Sequence, residues 1–421
     1  MNITVRPFCA KGEIISPPSK SGSHRALVAA ALSDGRTLVK NLLSSDDITA
    51  TAGALSALGA RVETGERSAV VYPGGRGDRI ARINCNESGT TARFILPLSA
   101  YLATETVITG RGRLPERPFA PLCSAMRSRG TELSSDFLPI TVKGGLHSGV
   151  YEIEGSVSSQ YISALLLVLP LLEGDSEIRL LSPLASAPYV NMTLDTMKHF
   201  GVSVTQNEKG FYIPGGQRYL SPGEIWVEGD WSSASALLAA GFMSERGITV
   251  KGLDSESFQG DKKIAELLSL WGGEVSYGDN VLKISKGKIL EGDAVYDASH
   301  TPDLVPAVAV AAAARVGRTE IVGAARLREK ESDRLETVAA MLNALGGEVS
   351  VNPDGMIING KGRLRGGVAD GAGDHRIVMC AAVAASISDE PVKILGAEAV
   401  SKSYPEFWQD ITALGAEITE E

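Results

Sequence analysis

Two series of hydrophobic segments run through the chain in phase. In the first, an amphipathic helix-like stretch ends in glycine and a β-branched or aliphatic residue follows three positions later: Gly59 with Val62, Gly130 with Leu133, Gly201 with Val204, Gly272 with Val275, Gly346 with Val349, and Gly415 with Ile418. These glycines recur every 69 to 74 residues. A helix that stops where the chain turns left-handed into the next strand asks for glycine, which adopts that conformation at least cost. The residues beyond, such as Arg61-Val62-Glu63 and Glu348-Val349-Ser350-Val351, alternate as a half-buried strand does. In the second series, six Ala/Leu-rich segments begin near Ser21, Thr90, Ser159, Ser233, Asp303 and His375, each behind small polar or capping residues. A segment as apolar on every face as Ala164-Leu165-Leu166-Leu167-Val168-Leu169 predicts a helix buried in the middle of a domain.

Six units account for nearly the whole chain. A repeat of this size is too large for a thin solenoid, and six units divide naturally into three plus three. The pattern predicts an α/β (α+β) protein of two similar domains, each of three βαβαββ-type units with the apolar helices inside. Pro17-Pro18 and Gly229-Asp230-Trp231 are the expected crossovers, which joins 1–17 to 231–421 in one discontinuous domain and leaves 18–230 as the other. A cleft between the domains is the expected ligand site. The Gly-Gly pairs at 74–75, 144–145 and 215–216 read as hairpin turns, and Asp46-Asp47 after Ser44-Ser45 as a capped, acidic helix start.

Composition narrows the function. At 421 residues and 43% apolar the chain can fill two cores. Asp plus Glu, at 50, exceed Lys plus Arg, at 41, and a net charge of −9 repels nucleic acid and anionic membranes. Aromatics at 5% leave few platforms for stacking bases, which argues against an RNA-end-processing relative. Cys9, Cys85, Cys123 and Cys380 lie far apart, without metal-ligand spacing, so neither zinc nor a disulfide framework is expected and a reducing cytoplasm fits. The longest apolar stretch, 304–314, contains Pro306 and ends at Arg315, too short to span a bilayer. Met1-Asn2-Ile3-Thr4-Val5 reads as a strand and not as a targeting peptide. No phosphate-loop or dinucleotide-binding pattern occurs, so ATP and NAD are not indicated.

The unusual polar clusters sit where the buried helices begin: Ser19-Lys20-Ser21-Gly22-Ser23-His24-Arg25, Glu87-Ser88-Gly89-Thr90-Thr91-Ala92-Arg93, Ser156-Val157-Ser158-Ser159-Gln160-Tyr161, Ser232-Ser233, His300-Thr301-Pro302-Asp303 and Gly373-Asp374-His375-Arg376. Serines there cap helices, but caps need no cation. Lys20, Arg25, Arg93 and Arg376 fall in first turns, where the helix dipole disfavours positive charge by up to ~1 kcal/mol. An anionic ligand is the simplest compensation. Leu114-Pro115-Glu116-Arg117-Pro118 holds Arg117 on a stiff loop, and in Lys330-Glu331-Ser332-Asp333-Arg334 a helix that already includes Lys330 would put Lys330 and Arg334 on one face with Glu331 beside them. Lys402, taken alone, reads as a surface lysine.

Together with Lys402-Ser403-Tyr404-Pro405, these motifs resemble the 5-enolpyruvylshikimate-3-phosphate synthases, in order from residue 17 to about residue 407. The resemblance implies two domains closing over the substrates, an inside-out α/β barrel in each, and transfer of the enolpyruvyl group of phosphoenolpyruvate to the 5-hydroxyl of shikimate 3-phosphate with release of phosphate, in aromatic amino-acid biosynthesis. It implies no metal and no cofactor. Carried over by position, Lys20, Gly89, Arg117, Gln160, Arg334, Arg376 and Lys402 would meet phosphoenolpyruvate. Lys20, Ser21, Arg25, Ser158, Ser159, Gln160, Ser186, Asp303 and Lys330 would meet shikimate 3-phosphate. Asp303, assisted by Lys20, would be the base and Glu331 the proton donor. Glu87 and Ser88 stand where Asn-Ala is usual in one subgroup, and Arg326 where a substrate-contacting Asn occurs, so contacts from those positions are not carried over. Gly89 leaves room beside the phosphoenolpyruvate site, which implies sensitivity to glyphosate. The related transferase acting on UDP-N-acetylglucosamine is disfavoured because residues 111–117 carry no Cys, and a catalytically dead anion binder because Asp303 and Glu331 are both present. A cytoplasmic monomer is expected, as nothing marks a self-association seam.

Overall fold

The computed structural model describes residues 1–421. Its strands form six four-stranded mixed sheets, all made the same way. Ile80–Asn84 leads into the buried helix Gly89–Leu102, then the strand Glu105–Thr109, the amphipathic helix Ala120–Arg127, and the strands Glu132–Leu133 and Ile140–Lys143. Ile80–Asn84 and Glu105–Thr109 pair in parallel, while Ile140–Lys143 pairs antiparallel with Glu105–Thr109 on one side and Glu132–Leu133 on the other. A parallel pair requires a long crossover, and the apolar helix supplies it.

The chain divides into two compact units, residues 20–227 and a composite of 1–19 with 228–421, each with its own hydrophobic core. In the composite unit Asn2–Val5 is inserted between Val392–Leu395 and Ile418–Glu420, antiparallel to both, and Gly12–Ile15 lies parallel to Ile248–Lys251. Glu224–Trp226, at the far end of the other unit, runs parallel to Thr37–Lys40. The crossovers fall slightly inside the expected Pro18 and Asp230. Pro18 bridges Gly229 and the Asp230 amide donates to Pro17 O, so both peptides stay with the composite unit. No helix is long and apolar enough to cross a membrane.

Four of the six central helices are buried almost without exception. Every residue of Val305–Ala313 and of His375–Ala384 is buried, and in Ser159–Val168 and Trp231–Phe242 the exceptions are Gln160 and Ser232 alone, both in the first turn. Each of these last two helices thus leaves one polar residue uncovered at its positive end, where negative charge is favoured. The repeat glycines have φ from +75° at Gly201 to +101° at Gly59, the left-handed turn expected of them. The Gly-Gly pairs are not hairpin turns: each lies between a strand of one sheet and a strand of a different sheet. In two of them the first glycine serves close packing, since a Cβ on Gly74 would lie 2.4 Å from the carbonyl carbon of Gly59 and one on Gly215 2.3 Å from Gly174 O.

Candidate active site

In the 20–227 unit, hydroxyls tie the starts of neighbouring helices together. His24 Nδ1 lies 2.7 Å from Thr51 Oγ1, Thr51 Oγ1 lies 2.7 Å from Thr91 Oγ1, and Thr91 Oγ1 donates to Ser88 Oγ at 2.7 Å. Burial, then the charges of Lys20 and Arg25, hold the His24 pKa well below its ordinary value, so the ring is neutral. The Lys20 ammonium donates to Asp47 Oδ2 at 3.0 Å. Asp47 is in the first turn of helix Asp46–Ala57, as the acidic helix start predicts, but Ser45 makes no side-chain cap bond there and the Asp47 carboxylate turns to Lys20.

Arg25 is 2% exposed, yet its guanidinium donates only to neutral oxygens: Thr193 Oγ1, Ser21 O and Tyr189 O, each at 2.8 Å. Burial lowers its pKa to about 10, which leaves it charged at neutral pH. A buried cation balanced by neutral groups alone favours an arriving anion. Nearby, Arg93 Nη1 donates to Gln160 Oε1 at 2.9 Å and Gln160 Nε2 to Thr90 Oγ1 at 2.8 Å. Arg93 and Arg117 both close on Gly89, where a Cβ would lie 2.5 Å from Arg93 Nη1 and 2.7 Å from Arg117 Nη1. Ser158 caps helix Ser159–Val168 by accepting from the Gln160 amide at 3.3 Å, and Ser159 is buried beside it. Ser186, also buried, precedes helix Ala187–His199 with φ +53° and makes no cap bond.

In the composite unit the organising group is Arg334, 1% exposed. Its Nη1 donates to Asp303 Oδ1 at 2.8 Å, its Nη2 to Glu331 Oε2 at 2.6 Å, and its Nε to Asp374 Oδ2 at 2.8 Å. Lys330 Nζ stands 3.3 Å from Asp303 Oδ1 and Arg376 Nη2 3.7 Å from Asp303 Oδ2. Burial alone would push the Asp303 carboxyl up, but Lys330, Arg376 and Arg334 together hold it well below the usual carboxylate range. Lys330 reaches Asp303 by a route other than the expected helix face. The helix is Arg334–Ala344, capped by Asp333, whose side chain accepts from the Glu336 amide, and Lys330 lies in extended backbone ahead of it. Lys402 donates to Gly373 O at 2.7 Å, just before helix His375–Ala384. Of the positions set aside, Ser88 caps Gly89–Leu102 and Arg326 Nη2 donates to Ser299 O at 2.6 Å.

The family model for EPSP synthase (3-phosphoshikimate 1-carboxyvinyltransferase) matches residues 8–411. The chain belongs to the EPSP synthase family. A 3-phosphoshikimate 1-carboxyvinyltransferase of Clostridium kluyveri is 41% identical over 424 residues, covering 99% of this chain and 98% of the relative. A solved EPSP synthase from Acinetobacter baumannii superposes with a TM-score of 0.82 at 25% identity and full coverage of both chains. The enolpyruvyl transferase NikO from Streptomyces tendae gives a TM-score of 0.81 at 15% identity, covering 99% of this chain and 98% of that one, a likeness of fold. Within this EPSP synthase family member, sequence reasoning left out four groups that the structure brings into the clusters: Asp47, Ser232, Asp261 and Asp374. Ser232 and Asp374 lie inside the polar clusters at helix starts, and the depth of Asp374 is signalled by the apolar run 377–385 that follows. Asp47 reads as an ordinary acidic helix start, and Asp261 stands on a segment that carries no such pattern.

Proposed function

We propose that the chain transfers the enolpyruvyl group of phosphoenolpyruvate to the 5-hydroxyl of shikimate 3-phosphate and releases inorganic phosphate, a step of the shikimate pathway. The observation that carries this reading is the Asp303 carboxylate set among Lys330, Arg334 and Arg376, with Glu331 on the same guanidinium. Two polyanionic substrates need several fixed cations, and the reaction needs one group to take a proton and another to give one. The base removes the 5-hydroxyl proton as its oxygen bonds to C2 of phosphoenolpyruvate. The acid adds a proton to the methylene carbon, and a tetrahedral intermediate forms. Loss of a proton from the new methyl group and of phosphate from C2 restores the double bond in the product.

In this reading Asp303, with Lys20, is the base and Glu331 the acid. Asp303 is ionised and ready to accept a proton, but its cations make it a weak base. Anionic substrates that draw Lys330, Arg334 and Arg376 toward themselves would strengthen it. The same shift of Arg334 would release Glu331, whose Oε2 accepts from Arg334 Nη2 at 2.6 Å, to act on the substrate. Shikimate 3-phosphate is assigned to Lys20, Ser21, Arg25, Ser158, Ser159, Gln160, Ser186, Asp303 and Lys330. Phosphoenolpyruvate is assigned to Lys20, Gly89, Arg117, Gln160, Arg334, Arg376 and Lys402. Each domain would be an inside-out α/β barrel, in a cytoplasmic monomer.

The test is phosphate release from purified protein given phosphoenolpyruvate and either shikimate 3-phosphate or UDP-N-acetylglucosamine. Release with the first acceptor alone is expected; release with the second alone, or with neither, contradicts the reading. Gly89→Ala provides a local check. The added methyl group would displace Arg93 and Arg117, so KM for phosphoenolpyruvate should rise about tenfold while KM for shikimate 3-phosphate changes little. Steady-state kinetics in both substrates measures this, and an equal rise in both would count against it. The wild type should be inhibited by glyphosate in competition with phosphoenolpyruvate.

A further inference from the structure

Ser232 is the one residue of helix Trp231–Phe242 that is not buried, and it stands between Arg376 and a carboxylate with no role so far. Arg376 Nη2 donates to Ser232 Oγ at 2.7 Å, while Nη1 lies 3.4 Å from Ser232 O and 3.2 Å from Asp303 O. Behind the serine, in the turn Gly260–Lys262, is Asp261, 2% exposed, whose carboxylate accepts the Ser232 hydroxyl proton in a hydrogen bond. The preceding residue but one fixes this turn, because Gln259 Oε1 accepts from the Trp231 amide at 3.1 Å and Gln259 Nε2 donates to Gly229 O at 2.7 Å.

A serine hydroxyl has one proton and two lone pairs. With its proton committed to Asp261, the oxygen can present a lone pair to Arg376. If Asp261 instead carries a proton and donates it to the serine, the serine's own proton competes with the Arg376 N–H for the space around one oxygen. We propose that Asp261 is a positioning residue for phosphoenolpyruvate, aiming the Arg376 guanidinium through the Ser232 hydroxyl. The inference rests on the reading above that Arg376 meets phosphoenolpyruvate.

The charged and titratable groups around Asp261 are Asp303 from the turn Pro302–Leu304, Arg376 from helix His375–Ala384, Asp230 at the start of Trp231–Phe242, and Tyr296 from the strand Ala294–Asp297. Burial, then the Asp303 charge, raises the Asp261 carboxyl to about 6 against the pull of Arg376 and Ser232. Positioning is therefore complete above that pH and is lost as pH falls through it.

The experiment is steady-state kinetics in both substrates, from pH 5 to 8, for the full-length wild type, Asp261→Asn, Ser232→Ala, the double variant and Arg376→Lys. Substrate phosphates ionise near pH 6 as well, but that titration cancels in the ratio of wild-type to variant kcat/KM. At pH 7.5 each of Asp261→Asn and Ser232→Ala should raise KM for phosphoenolpyruvate about fivefold, with kcat and KM for shikimate 3-phosphate nearly unchanged. The double variant should be no worse than the worse single one, and the ratio should fall toward one below about pH 6. If Asp261→Asn does not fold, Ser232→Ala carries the same KM and pH expectations. An unchanged KM for phosphoenolpyruvate, equal losses in both substrates, multiplied effects in the double variant, or a ratio indifferent to pH overturns the inference. A KM indifferent to Arg376→Lys overturns the reading of Arg376 and this inference with it. An Arg376→Lys effect without an Asp261→Asn effect overturns this inference alone.

Discussion

Asp303→Asn should lower kcat by about 10²- to 10⁴-fold, the range for removal of a general base, while KM for phosphoenolpyruvate stays the same or falls. Asparagine keeps an oxygen that can accept from Arg334 Nη1, now 2.8 Å from Asp303 Oδ1, so the guanidinium need not move. What disappears is a negative charge beside Lys330, Arg334 and Arg376. Those cations then attract an anionic substrate without competition from a carboxylate, which is why binding should not weaken. Full steady-state kinetics with binding titrations of both substrates separates the two quantities. Equal losses of turnover and affinity would mean that Asp303 acts mainly in holding substrate.

Arg334→Met should destabilise the composite unit by about 3–5 kcal/mol, the cost of leaving buried charges without their partner. Asp374 has no exposed surface and takes both a 2.8 Å bond from Arg334 Nε and a 3.0 Å bond from Ser332 Oγ. In the wild type burial raises the Asp374 carboxyl, but Arg334, followed by His375, outweighs it and the net shift is downward. A carboxyl lowered on folding contributes stability above its unfolded pKa of about 4 and loses that contribution as pH falls through the folded value. Asp303 behaves in the same direction. The contributions of Asp374 and Asp303 should therefore stay constant from pH 7 to 5 and be lost only in more acidic solution, while His24 and Asp261 titrate in wild type and variant alike. Without Arg334, burial dominates at Asp374 and the sign reverses: relative to the wild type, the variant should gain stability as pH falls from 7 to 5. Chemical denaturation at several pH values measures both the loss and its slope. A variant as stable as the wild type, or one with the same pH slope, would contradict this account of the cluster.

The architecture was legible because two independent hydrophobic periods agreed in phase. Gly59 and Gly415 stop helices at opposite ends of the sequence with φ near +100°, a backbone requirement that the residue type itself announces. The cationic helix starts were legible for the same kind of reason, since Arg25 and Arg376 stand where a helix dipole opposes them. The route of Lys330 to Asp303 was not, because Asp333 can be read either as an early helix residue or as the cap it is. Gly-Gly pairs such as 74–75 carry the composition of a hairpin, while the close approach to Gly59 that requires their smallness comes from a segment 15 residues away in sequence. Asp47 and Asp261 were hidden because a carboxylate near a helix start has a sufficient local explanation. Their partners Lys20 and Ser232 lie 27 and 29 residues distant, and no local pattern encodes such pairings.

The most direct measurement of the proposed chemistry is turnover in D₂O, with deuterium followed in recovered phosphoenolpyruvate and in product. If Glu331 adds a deuteron to the methylene carbon, the methyl group of the intermediate holds one deuterium and can lose either isotope, so label should appear in the methylene of both compounds. In Glu331→Gln the label should vanish while both substrates still bind. Absence of deuterium from the wild-type product, or its undiminished incorporation by Glu331→Gln, would contradict the assignment of proton addition to this side chain.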